Sequence, residues 1–178
     1  MKYFIGYLIE GQAAQWHSRV AREIFEKFNN YKIHEKIPSH LTIYRPFDTT
    51  DVSSLKNLLA TWTNNFSESQ TLFMNDFGQF DEKVIFANVS APTSLIKIIT
   101  DLQVEIGSSG VNSILEQFPS WHPHATLANY LQPEKFKEIW SYVLILPKPD
   151  FSLPFNNVTL FHSTSEEGWE VEEYFPIK

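Results

Sequence analysis

Two short segments constrain this chain more than anything else in it. Pro38-Ser39-His40-Leu41-Thr42-Ile43 and Trp121-His122-Pro123-His124-Ala125-Thr126-Leu127 carry the same His-x-Thr triplet. Each triplet has a proline within two residues before it, a hydrophobic residue after it and a helix-forming stretch further on. The second starts 84 positions after the first, His124 against His40. A repeat of that size within 178 residues fits one domain of two related lobes, and no composition shift marks a boundary between independent domains.

The remaining pattern supplies the elements. Tyr3 to Ile9 reads as a buried strand. A helix follows from about Ala13 to Phe28, with Trp16, Val20, Ile24 and Phe28 on one face. After the Asn29-Asn30 break, Pro38 and Ser39 introduce a short strand, His40 to Tyr44, stopped by Pro46. Thr50 or Asp51 caps a helix through Leu55, Leu58, Leu59, Trp62 and Phe66. Leu72 to Phe80 and Lys83 to Val89 form a hairpin turning at Asp81-Glu82. Pro92 opens a third helix that ends near Gly107, and Pro119 to Trp121 lead into the strand holding His124 and Thr126. Pro133 opens a fourth helix, and Pro147, Pro149 and Pro154 fill a linker. Val158 to His162 pairs with Trp169 to Phe175 around Glu166-Glu167-Gly168. The class is α+β.

Side chains two apart on a strand share a face, so each triplet sets an imidazole beside a hydroxyl. Two such strands facing each other make a four-group pocket. Imidazole titrates near neutrality, so one ring can accept a proton while the other donates one. The threonine hydroxyls can donate hydrogen bonds to charge that builds on non-bridging oxygens. That division of labour suits phosphodiester cleavage without a metal or other cofactor.

Composition narrows the partner. With no cysteine, disulfides, iron–sulfur sites and thiolate zinc sites are excluded. The net charge of −7 argues against a groove that tracks long double-stranded nucleic acid, since such grooves rely on clustered Lys and Arg. A site for one or two phosphates remains. No apolar run has the length of a membrane span and the first ten residues do not make a secretory signal, so the expectation is a cytoplasmic monomer without membrane contact.

The paired motifs resemble those of the 2H phosphoesterase superfamily, which includes the LigT-like 2′-5′ RNA ligases and cyclic nucleotide phosphodiesterases. The resemblance extends over nearly the whole chain through the element order. It implies a bilobal fold of two pseudo-symmetric lobes, each an antiparallel sheet with helices on the outside, and a cleft between them. It implies metal-independent action on 2′,3′-cyclic phosphate or 2′-5′ bonds of a nucleotide or short RNA end. His40 and His124 would be the acid–base pair, with Thr42 and Thr126 holding phosphate. Two departures leave the exact substrate open. Ala128-Asn129 stands where relatives often have Ala-Arg, and Tyr44-Arg45-Pro46-Phe47 replaces a Gly-containing turn.

Other residues carry alternatives. Tyr44 follows Thr42 on the same face of a regular strand, and either reaches the cleft to touch base or phosphate or packs in the sheet. Trp121 and Phe47 are base platforms or core. Arg45 lies on the opposite face from Thr42 in a regular strand, which makes it a weak phosphate contact. His122 and His124 form an H-x-H that suggests a metal site, against which Pro123 and the lack of a carboxylate ligand weigh. His162 reads as a core or edge histidine, and His17 and His34 as solvated. Two rival functions stay open: 2′-5′ ligation of tRNA halves, and non-catalytic nucleotide binding.

Overall fold

The computed structural model describes residues 1–66, 70–111, 120–164 and 168–177; Pro119 and the Glu166-Glu167 turn lie outside them. The elements run β1 (Lys2–Leu8), α1 (Gly11–Phe28), a single turn α2 (Ile33–Lys36), β2 (His40–Asp48), α3 (Val52–Asn65), β3 (Thr71–Phe80) and β4 (Val84–Ser90). Then come α4 (Thr93–Ser108), β5 (His124–Ala128), α5 (Pro133–Val143), β6 (Phe151–Pro154), β7 (Asn157–Ser163) and β8 (Trp169–Pro176). Two antiparallel four-stranded sheets result, ordered β2-β1-β7-β8 and β5-β4-β3-β6. Both motif strands are therefore edge strands.

The duplication is a β-α-β-α unit, β1-α1-β2-α3 matched by β4-α4-β5-α5. The first helix of each unit crosses over: α1 packs against β5 of the second sheet and α4 against β2 of the first. The second helix stays home, α3 on β7 and β8, α5 on β4. This exchange ties the sheets together, and one continuous apolar cluster runs through both. Trp16 of α1, for example, lies against Phe77 of β3 and Phe151 of β6. Cross-packed helices bury apolar area from both sheets at once, the main favourable term in folding.

Several sequence expectations hold in detail. The Asp51 carboxylate accepts from the Ser54 amide at 3.0 Å, so Asp51 and not Thr50 caps α3. The β3–β4 hairpin turns at Asp81-Glu82, closed by Lys83 N–H to Phe80 O at 2.9 Å. Two others do not hold. Pro46 does not stop β2, which continues to Asp48. An edge strand tolerates proline, and the pairing with β1 is irregular between Tyr3 and Ile5, opposite Pro46. The proline linker contains β6, whose Phe151 to Pro154 pair with Met74 to Thr71 of β3 at the outer edge of the second sheet.

Both central residues of the β3–β4 turn have positive φ, Asp81 at 49° and Glu82 at 53°. That is the type I′ form whose twist suits a hairpin, and its second position favours glycine. Glu82 bears the cost of the left-handed conformation. Glu82→Gly is expected to raise stability by about 1 kcal/mol, read as a higher urea midpoint at unchanged slope.

Candidate active site

The motif strands β2 and β5 approach each other from the edges of their two sheets. His40, Thr42, His124 and Thr126 are half-buried, while Leu41, Ile43, Ala125 and Leu127 between and after them are buried. Alternation thus sends the apolar residues into the lobes and the polar ones toward the cleft. Immediately after each threonine the pattern breaks. Gly6 pairs with Thr42 but Ile5 with Tyr44, leaving Ile43 unopposed; Phe86 pairs with Thr126 but Ile85 with Ala128, leaving Leu127 unopposed. Matching β-bulges end the two motifs, and a bulge re-aims every side chain beyond it.

The histidines are held alike. His40 Nδ1 lies 2.8 Å from Pro38 O, and His124 Nδ1 lies 2.8 Å from His122 O. A carbonyl can only accept, so Nδ1 carries the hydrogen and, in the neutral ring, Nε2 keeps its lone pair. Each imidazole also rests on two phenylalanines: His40 on Phe4 and Phe161, His124 on Phe80 and Phe86. Phe4 and Phe161 stack on each other, and so do Phe80 and Phe86 at a tilt. Gly78 makes room for the second pair, since a Cβ there would collide with the Phe86 ring. Burial among these rings lowers both imidazoles, His40 to about 4 and His124 by less. The Pro38 carbonyl opposes the effect at His40, and His17 and His124 reinforce it.

Donors from the other lobe brace the motif backbones. Trp121, ahead of β5, donates its indole N–H to Thr42 O at 2.9 Å. His17, from α1, sets Nε2 2.9 Å from Thr126 O and Nδ1 2.9 Å from Ser39 Oγ. Its Nε2 therefore carries the hydrogen, and Ser39 donates to Nδ1. The bulge carbonyl of Ile43 receives the Gln103 amide from α4 at 2.6 Å.

Of the predicted residues, the structure sets Thr42, His124 and Thr126 around one cleft, with His40 near enough for the charge of His124 to act on it. Thr42 and His124 line a pocket of about 200 Å³ between the motif strands, and His124 and Thr126 line a neighbouring cavity of about 790 Å³. Tyr44 is placed elsewhere: the bulge turns it into the core, where it is 1% exposed with its ring edge-on to Phe47, and no base can stack on it. Trp121 is 5% exposed and spends its N–H on Thr42, bracing β2 while it also lines the smaller pocket; Phe47 is core.

The same bulge brings exposed Arg45 to the pocket that Thr42 lines. Asn129, three residues after Thr126 as Arg45 is after Thr42, lines the larger cavity. His122 is exposed, and among the described residues no three His, Asp or Glu side chains group as metal ligands. His162 sits 3.1 Å from Glu172 at a partly open edge.

His17 and His34 are not solvated. His17 is 6% exposed, and the His34 side chain packs near Phe25 with little open surface. His17 shares the buried face of α1 with Ala13, Val20, Ala21 and Ile24, a helical spacing that would have revealed it.

The family model described as the 2′-5′ RNA ligase superfamily matches residues 10–167. Among solved structures, TT0787 of Thermus thermophilus superposes with a TM-score of 0.65 at 13% identity, covering 99% of this chain and 98% of that one. E. coli LigT complexed with 3′-AMP gives 0.63 at 17% identity, with 99% and 98% covered. A protein described as a phosphoesterase gives 0.55 at 20% identity, with 99% and 95% covered. No curated protein matches the chain.

Burial also lowers His17 to about 4, against the hydrogen bonds to the Thr126 and Ala125 backbone. In the unfolded chain His17 and His40 titrate near about 6.5. Between that pH and about 4 the unfolded state binds more protons, so stability is full above the window and falls as pH drops through it. Urea midpoints measured from pH 7 to 4 should show this loss, and His17→Gln should make it smaller. A third check concerns Gly78: Gly78→Ala should displace Phe86 and shift the His124 ring resonances.

Proposed function

From a chain that belongs to the 2′-5′ RNA ligase superfamily, we propose a metal-independent phosphoesterase that hydrolyses 2′,3′-cyclic phosphate or 2′-5′ phosphodiester bonds of nucleotides or short RNA ends. The observation that carries this reading is the matched pair of histidines. Both are fixed through Nδ1 to the carbonyl two residues back, which leaves both Nε2 atoms for proton transfer at one cleft. The 3′-AMP bound to E. coli LigT supports it, because opening a 2′,3′-cyclic adenosine phosphate with departure of the 2′ oxygen leaves that molecule.

The roles divide by environment. His40, held near 4, is neutral at pH 7 and serves as general base. Burial lowers His124 as well, and a bound phosphodiester anion beside it favours the protonated form that serves as general acid. His40 Nε2 takes a proton from water as the new O–P bond forms. The bond from phosphorus to the 2′ or 3′ oxygen breaks, and His124 protonates that oxygen. Thr42 and Thr126 donate to the non-bridging oxygens. Arg45, at the pocket with Thr42 and His124, adds positive charge to hold the anion. Exchange with solvent then restores both rings.

Ligation is the same attack on a 2′,3′-cyclic phosphate with a 5′-hydroxyl in place of water and the 3′ oxygen leaving, and the superfamily's description favours keeping it as a second reading. The net charge of −7 counts against a tRNA-sized partner. Joining of tRNA halves by the purified protein would establish it.

With adenosine 2′,3′-cyclic phosphate as substrate, His40→Ala and His124→Ala should each lower kcat by at least about 100-fold. On a p-nitrophenyl phosphodiester, whose leaving group needs no proton, His124→Ala should keep most of its activity and His40→Ala should not. Arg45→Ala should raise KM roughly ten-fold with a smaller change in kcat. Chelator should change nothing. Wild-type turnover in His40→Ala, or loss of activity on chelation, removes the mechanism.

A further inference from the structure

Two cavities meet at Tyr130. The one beside His124 and Thr126 has a volume of about 790 Å³. The next, about 450 Å³, lies between the loop after α1 and the loop after β5. Asn129, Tyr130, Leu131 and Gln132 line both. A ligand anchored at the catalytic histidine can therefore extend into the second cavity without leaving the protein surface.

Packing does not explain what lines this junction. Tyr130 is 79% exposed and has φ of 56°, a backbone region that a bulky residue rarely adopts, and its ring lies at right angles to that of Tyr31 with centroids 5.7 Å apart. Asn30, in the second cavity, has both amide atoms buried without a hydrogen-bond partner, and Asn129 Oδ1 is in the same state. Buried polar atoms are nearly always paired, and an orphaned amide costs stability. Here three orphaned atoms on two asparagines border one cavity, next to an exposed aromatic face.

A flat face for stacking beside adjacent amide donors and acceptors is the complement of a nucleobase, which offers a π surface and an edge of N–H, nitrogen and carbonyl groups. We propose that Tyr130, Asn30 and Asn129 form a nucleobase subsite, with Tyr130 stacking on the base and the two asparagines bonding its edge. The proposal rests on the catalytic reading for where the phosphate lies. It gives the unpaired amides of Asn30 and Asn129 their partners when a base arrives.

Equilibrium binding of 3′-AMP, ribose 5-phosphate and inorganic phosphate, followed calorimetrically, tests this without any need for turnover. Tyr130→Ala and Asn30→Leu should each weaken 3′-AMP roughly ten-fold or more, leaving the two base-free ligands unchanged. Tyr130→Phe, which keeps the ring, should bind like wild type. Asn30→Leu should also raise the Tm, because it removes the orphaned amide, so a loss of affinity there cannot be ascribed to unfolding. Unchanged 3′-AMP affinity in Tyr130→Ala and Asn30→Leu, or an equal loss for base-free ligands, overturns the subsite. A protein that binds 3′-AMP through these residues yet hydrolyses no phosphodiester keeps the subsite and loses only the catalytic reading.

Discussion

Everything at this site depends on how the protein satisfies the carbonyl oxygens of two strands whose edges are brought together. Thr42 O and Thr126 O belong to edge strands, so no ladder partner on the cleft side takes them. Left unpaired in a half-buried seam, each would cost on the order of 1–3 kcal/mol. Each instead receives a ring N–H: Trp121 of the second unit bonds Thr42, and His17 of the first bonds Thr126. The donors cross between the sheets in opposite directions, as α1 and α4 do. Backbone bonds that stabilise the seam thereby also fix the depth at which the two imidazoles sit.

The paired bulges give that arrangement its shape. A regular strand would have kept Tyr44 beside Thr42 and sent Arg45 away. The unopposed Ile43 reverses both, burying the tyrosine and bringing the arginine to the pocket. Its freed carbonyl would be a further orphan, which Gln103 relieves. A strand bent in this way can present three polar side chains to a phosphate, His, Thr and the residue three beyond, while its apolar residues stay in the lobe.

How much of this was legible from sequence follows from the range of the interactions. Periodicity and proline placement are local, and they gave α1, α3, α4, α5, the β3–β4 turn and the His-x-Thr strands. The bulges were not legible, because register is set by the partner strand and Ile43 and Leu127 look like ordinary strand residues. β6 escaped because three prolines suggest a linker, although Pro147 and Pro149 precede the strand and an outer edge strand tolerates Pro154. His17 was misread by residue type. A histidine among Ala13, Val20 and Ala21 on a helical face points inward, and its two ring nitrogens then need partners that only the opposing strand and Ser39 could supply.

The two halves of the site differ where the duplication lapses. Three residues past Thr42 stands a cation, Arg45; three past Thr126 stands an amide, Asn129. A symmetric cleft would accept a phosphodiester in either direction. For the proposed phosphoesterase, the positive charge of Arg45 would draw the anion toward β2, and the exposed ring and amides would draw the base toward the loop after β5. His124 lies between the two cavities, lining both the 200 Å³ pocket and the 790 Å³ one. For the proposed phosphoesterase, His124 between the two cavities is then the general acid, and His40, which burial lowers to about 4, is the general base.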